Sequence, residues 1–311
     1  MHRIDKSIEE NKFWRLADPC ALIGSFGVYG CYLFLVSAIA YGEVTQDGLR
    51  WVGDDLVGPV RSVREEEIQL RKVGAEWIEG ESIRVVVMTF DRDRTFSETI
   101  QLKPLTSERS TRSSLCFVRG DGNRITKSFV CDFERRPIDG SSSVYQYDSK
   151  GNLVEESVEI VSGQPDKYRE VYVYDAEGRK TVSRLYDSDG TLSAITAYSR
   201  NRDNTFLTVQ VSNATGGFHA KEVHVLDSMG RTAEVTSLDD KDRVISRTVL
   251  RYDDHGKRIE RMFSGRGVER QEIDSYEYDE RGNWIKKSGR IIEPTVEERF
   301  IVRRAIEYFP R

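Results

Sequence analysis

One recurring phrase constrains the fold of this chain more than any other feature. Tyr-Asp, with Gly three places after the Asp, returns again and again in a single phase. The first clean copy is Tyr147-Asp148-Ser149-Lys150-Gly151-Asn152. It recurs as Tyr174-Asp175 with Gly178-Arg179, Tyr186-Asp187 with Gly190, Tyr252-Asp253 with Gly256-Lys257, and Tyr278-Asp279 with Gly282-Asn283. Leu226-Asp227 with Gly230-Arg231 and Leu238-Asp239 with Asp242-Arg243 are near copies. The Asp positions are separated by 27, 12, 40, 12, 14 and 26 residues, close to whole multiples of a unit of 13.1. Asp at the start of a turn accepts a hydrogen bond from a backbone N–H two residues on. Gly three places later takes positive φ at little steric cost. Together they close a short hairpin loop around a type I turn.

Between the phrases lie about eight residues rich in Val, Ile, Thr, Tyr and Leu, such as Arg243–Tyr252 and Tyr168–Tyr174. These are strand signatures. Each unit is therefore one strand and one turn, joined up-and-down. The skipped positions also carry turn residues: 162–165, Asn201–Asn204, Asn213–Gly217 and Ser264–Gly267. Weaker copies lie upstream at Phe90-Asp91 and Gly120–Asn123. About eighteen strands are expected between Gly58 and Phe309. At about 4.8 Å per strand such a sheet is roughly 85 Å wide and must curl, split or close. The expected fold is all-β: a long antiparallel meander in a curled or spiralling sheet, preceded by an apolar leader helix. Glu65–Lys72 fits a wet strand as well as a helix.

The phrases YQYDSKGNLVEE, YVYDAEGRKTVSRLYDSDGTL, RYDDHGKRIER and YEYDERGNWIKK resemble the YD-repeat, or Rhs-type repeat, proteins. The resemblance covers roughly Val144–Gly289. It implies an antiparallel repeat sheet, export or a cell-surface location, and in some members carbohydrate binding. No effector domain is expected after the repeats, so the small exported type is the nearer comparison.

Composition supports thin β-structure. Hydrophobic residues are 38% and charged residues 32%, too polar for a thick core, while 14 Tyr speak against disorder. Net charge is −5, without the basic stripe of a nucleic-acid binder. From Pro19 to Gly42 there is no charged residue. Residues 1–40 are expected to be a signal peptide, cleaved after Ala38-Ile39-Ala40 so that the mature chain starts at Tyr41, or an uncleaved anchor spanning residues 19–42. Residues 41–57 form a polar lead-in, and 58–311 are the repeat domain. Two cysteines fall in that domain, Cys116 and Cys131. Counting from a turn at Gly120–Asn123 places Cys116 opposite a residue near Lys127. Cys131 is then out of reach, so two free thiols are expected.

Searches for chemistry are mostly negative. His219 and His224 should lie on one strand and face opposite sides. Asp187-Ser188-Asp189-Gly190 and Asp121-Gly122-Asn123 only begin a calcium loop. Glu155-Glu156 and Glu297-Glu298 are strand neighbours that point apart. No catalytic residue, cofactor or metal site is assigned. Tyr145, Tyr147, Tyr172, Tyr174, Tyr276, Tyr278 and Trp284 are candidate ligand-binding aromatics, because Tyr at i and i+2 share a sheet face. The structural turn residues are Asp148, Gly151, Asp175, Gly178, Asp187, Gly190, Asp227, Gly230, Asp253, Gly256, Asp279 and Gly282. The expected function is an exported, non-enzymatic binding or scaffold module at the cell envelope. A protein or carbohydrate at the cell surface is its expected partner, with no nucleic acid and no membrane contact beyond residues 19–42. A toxin-associated module (an immunity protein or shell remnant) and a carbohydrate-acting enzyme are the alternatives.

Overall fold

The computed structural model describes residues 56–92, 96–102, 115–132, 134–160 and 166–310. The apolar run and its leader lie outside the described residues, as does the turn at 162–165. The strands are β1 (Val60–Val73), β2 (Glu76–Phe90), β3 (Phe96–Leu102), β4 (Leu115–Arg119), β5 (Ile125–Cys131), β6 (Pro137–Tyr147), β7 (Leu153–Ile160), β8 (Asp166–Tyr174) and β9 (Lys180–Tyr186). They continue as β10 (Leu192–Arg200), β11 (Phe206–Asn213), β12 (Phe218–Leu226), β13 (Thr232–Leu238), β14 (Val244–Tyr252), β15 (Arg258–Gly265), β16 (Val268–Tyr278), β17 (Trp284–Glu293) and β18 (Val296–Tyr308). The expected number of strands is thus found, and Glu65–Lys72 lies within β1.

The expected curled or spiralling sheet is corrected. Each strand pairs antiparallel with the next, and β1 also pairs with β18, from Val60↔Tyr308 to Gln69↔Phe300. The meander closes on itself as an 18-stranded barrel. Strand and turn signatures are the same in an open and a closed meander, so the phrase pattern does not report closure. Closure removes the two edges that an open sheet would expose.

The turns follow the phrase. Gly151, Gly178, Gly190, Gly230, Gly256 and Gly282 have φ of 89°, 78°, 81°, 77°, 77° and 85°. Asp148 Oδ1 accepts from the N–H groups of Lys150 and Asn152, and Asp175, Asp227, Asp239, Asp253 and Asp279 repeat this clasp on the residue four places on. Asp187 departs from it. Its backbone closes the turn, but Asp189 Oδ1 takes the Thr191 N–H. At Gly230 no atom lies within 4 Å of where a Cβ would be, so only backbone strain opposes a side chain there. Gly230→Val is expected to destabilise the barrel by about 1–2 kcal/mol in urea unfolding. A loss well under half of that would count against the left-handed turn.

Two strands make the true repeat. Asp148, Asp175, Asn201, Asp227, Asp253 and Asp279 follow one another at 27 and then 26 residues, and all stand at one rim of the barrel. The tyrosines of these phrases tie the rim together. Tyr174 donates its hydroxyl to Leu153 O at 2.7 Å, Tyr252 to Thr232 O at 2.8 Å, and Tyr278 to Asp253 Oδ2 at 2.7 Å. Cations cover the rings: Arg124 lies over Tyr147, Arg231 over Tyr252 and Arg281 over Tyr308, while His255 stacks on Tyr278. At the β18–β1 seam the segment before β1 replaces a turn. Buried Asn283 takes the Val57 N–H on Oδ1 at 2.6 Å and donates from Nδ2 to Val57 O and the Tyr308 hydroxyl.

The alternation of strand residues gives the barrel two different walls. The inner wall carries most of the buried apolar residues, among them Val60, Val63, Met88, Phe117, Tyr145, Tyr172, Val209 and Trp284. The outer wall carries charges at mid-strand. Arg247 is held by both oxygens of Glu234 at 2.6 Å and Arg169 Nη1 lies 3.9 Å from Glu155 Oε2, while toward the strand ends Arg251 pairs with Glu260 at 3.0 Å and Lys167 with Glu159 at 3.0 Å. A lipid-facing wall is an apolar band, where a midplane Arg or Lys costs about 2–4 kcal/mol.

The expectation of two free thiols is also corrected. Cys116 and Cys131 form a disulfide with Cα atoms 5.9 Å apart. The loop Gly120–Arg124 is one residue longer than the count assumed, and a bulge skips Thr126 in the cross-strand register. Together they advance β5 so that Cys116 faces Phe129, not Lys127. Cys131 is then a same-face diagonal neighbour, within disulfide reach. Alkylation of denatured, unreduced chain should leave both cysteines unlabelled, and full labelling would overturn this pairing.

Candidate functional site on the inner wall

The densest cluster of buried titratable groups spans β6 to β10. Cross-strand register sets it: Tyr145 faces Glu156, Glu156 faces Glu170, and Tyr172 faces Ser183. Tyr145, Tyr172 and Ser183 are buried. The Tyr172 hydroxyl lies 3.0 Å from Glu170 Oε2 and 3.5 Å from Glu156 Oε2, so one phenol sits between two carboxylates. Lys180 Nζ lies 4.0 Å from the centre of the Tyr172 ring and 5.7 Å from that of Tyr198. Ser128 Oγ and the Tyr145 hydroxyl are 3.3 Å apart.

Burial dominates the electrostatics. It pushes Glu156 up to about 7, helped by the charge of Glu170 and opposed by hydrogen bonds from Tyr145 and Tyr172 and by Lys180. Burial also lowers Lys180, against the pull of Glu170 and Glu156. Tyr145 and Tyr198 are pushed up to about 12, again chiefly by burial, so both phenols stay protonated. The carboxyls of Glu156 and Glu170 and the amine of Lys180 share one water-poor space, and loss of hydration is the physical content of the raised Glu156 value.

A second inward group lies on β12 and β13. His224 Nε2 is 3.3 Å from Glu222 Oε2, Thr232 Oγ1 is 3.5 Å from His224 Nδ1, and Ser237 Oγ is 3.4 Å from Glu222 Oε1. Further round, Lys287 pairs with Asp274 at 3.0 Å, and Arg304 lies 3.5 Å from the centre of the Trp284 ring.

All seven candidate aromatics stand on the inner wall, and Tyr276 and Tyr278 do share a face, with ring centres 6.3 Å apart. Tyr145, Tyr172 and Trp284 are buried in it, and Tyr147 and Tyr174 pack on the same cluster. The hydroxyls of Tyr147, Tyr174 and Tyr278 are engaged by Ile125 O, Leu153 O and Asp253. Tyr276 packs edge-on against Trp284, 5.9 Å between centres. Glu156 points inward and Glu155 outward, as neighbours on a strand must. His224 lies in the inner group, whereas His219 does not join it. Sequence reasoning weighed Glu156 only with its neighbour Glu155 and missed Glu170, Lys180 and Tyr198. A 26-residue period would have found the layer, because Tyr145, Tyr172, Tyr198, His224, Leu250 and Tyr276 recur at 27 and then 26 residues on one wall.

The geometry defines a closed up-and-down β-barrel with polar networks on both walls. No family model and no curated protein matches the chain. Solved structures similar to it include a porin-like protein from Bacteroides uniformis ATCC 8492, 12% identical, with a TM-score of 0.42 over 81% of this chain and 99% of that one. The complex TcdB2-TccC3-Cdc42 is 13% identical, with a TM-score of 0.33 over 76% of this chain and 13% of that one. TcdB2-TccC3 is 10% identical, with a TM-score of 0.25 over 77% and 19%.

Proposed function

We propose that the chain is an exported, water-facing barrel of YD-type hairpins that acts as a non-enzymatic binding or scaffold module at the cell envelope. The outer wall carries this reading: its mid-strand ion pairs Arg247–Glu234 and Arg169–Glu155 suit water and not lipid. The disulfide supports an oxidising compartment. The uncharged run before residue 43 supplies a route there. The inner clusters satisfy their own charges, which fits a rigid support. In a producing cell, the exported material is expected to begin at or near Tyr41 and to stay in the aqueous phase on detergent partition. Cytoplasmic chain retaining Met1, or a processed barrel that enters the detergent phase, would overturn the reading.

One observation favours a second reading, a carbohydrate-acting enzyme. Glu156, raised to about 7, lies beside Glu170 among tyrosines, and acid–base chemistry uses such pairs. Glycosidase activity lost in both Glu156→Gln and Glu170→Gln, with the fold retained, would establish it in place of the first.

A further inference from the structure

The outer wall has a buried patch on β3 to β5. There Cys116 on β4, Cys131 at the end of β5 and Glu98 on β3 are packed together, and their side-chain ligand atoms all lie within 4.8 Å of one another. Both cysteines are 0% exposed and Glu98 is 5% exposed. The turn after β5 folds over them: Arg135 Nε lies 3.7 Å from Glu98 Oε2, and Arg135 Nη1 bonds Asp91 at 3.0 Å. A disulfide sulfur gains little from a buried carboxylate. Two thiolates and a carboxylate converging at this distance are the donor set of a borderline or soft metal ion.

We infer that Cys116, Cys131 and Glu98 form a redox-gated metal site, closed by the disulfide and opened on reduction to a divalent ion of the zinc type. A thiol or phosphine reductant gives two electrons to the S–S bond and is itself oxidised, and two protons complete the two thiols. The ion then displaces those two protons into solvent and binds two thiolates and the Glu98 carboxylate, with water in the fourth position.

In the oxidised form the Glu98 carboxylate faces the Arg135 guanidinium, which also bonds Asp91; in the metal form the three anionic donors would face a divalent ion beside that guanidinium. The hairpin β4–β5 supplies both sulfurs and its neighbour β3 the carboxylate, so the donors are already assembled before any ion arrives.

The test uses the chain carrying Cys20→Ser and Cys31→Ser, so that only two cysteines remain. Cd2+ is the probe, because its thiolate bonds absorb in the near ultraviolet. After phosphine reduction, one Cd2+ per chain should bind with that band and raise the melting temperature. The oxidised chain should show neither effect. Glu98→Gln should weaken binding at least tenfold while keeping the band, and Cys116→Ser should abolish it. If the reduced chain unfolds without metal, Cd2+ should restore the far-ultraviolet β signal. No band or refolding with Cd2+, or equal affinity in Glu98→Gln, would overturn the site.

Discussion

Between pH 4.5 and about 7 the barrel is expected to lose stability, by on the order of 2 kcal/mol, and Glu156→Gln is expected to remove most of that loss. The folded chain holds the Glu156 proton up to about 7, whereas an unfolded chain releases it near 4.5. A raised carboxyl contributes stability that is complete below the unfolded value and vanishes as pH rises through the folded one. Asp274, raised chiefly by burial, acts in the same direction. The turn carboxylates act oppositely and elsewhere. Asp148, Asp175 and Asp239 are lowered by hydrogen bonds from the residues they clasp, so their contribution is lost only below the usual range of an aspartate. Gln at position 156 keeps the shape of the neutral acid and has no proton to lose. Urea midpoints at pH 5 and pH 8 should therefore converge in the variant and differ in the natural chain. Equal differences in the two proteins would sink the assignment.

The second large effect is expected at the seam. Asn283→Ala removes three hydrogen bonds that hold the Val57 backbone and the Tyr308 hydroxyl, in a position 2% exposed. Each buried polar group left without a partner costs about 1–3 kcal/mol, so a loss of roughly 3 kcal/mol is expected. Tyr308→Phe removes the donor to Asp279 and one of those bonds, and should cost less. The position of the damage distinguishes this from general loosening. Amide exchange should accelerate first in β1 and β18, with β7 to β9 still protected. Uniform acceleration round the barrel would show that Asn283 is not a seam residue.

Asp and Gly in the phrase revealed where strands end, because a clasping carboxylate and a left-handed residue leave a local mark. Closure left no such mark. It depends on Val60 meeting Tyr308 and on Asn283 reaching Val57, contacts between distant parts of the chain whose residues look ordinary alone. The disulfide was misjudged for a related reason: one extra loop residue and one bulge at Thr126 moved β5 past β4. The Glu156–Tyr172–Glu170 cluster was hidden by the choice of period. A unit of about 13 residues counts strands of both directions together. Only the two-strand repeat aligns Tyr145, Tyr172 and Tyr198 in one layer.

The seam also fixes an order of events. The Arg304–Glu65 contact joins positions 239 apart, while the other strand pairs join neighbours along the chain. Neighbouring hairpins can form as soon as each is made. β1 has no second partner until β18 has emerged, so a nascent chain presents a bare strand edge for almost the whole of its synthesis or passage across a membrane. Such an edge invites pairing with another copy. Closing a loop this long comes late and is slow compared with the hairpins before it. The vulnerable species extend to an almost finished barrel lacking its last strand, and a factor that shields the β1 edge would act on all of them and lose its site only when β18 pairs.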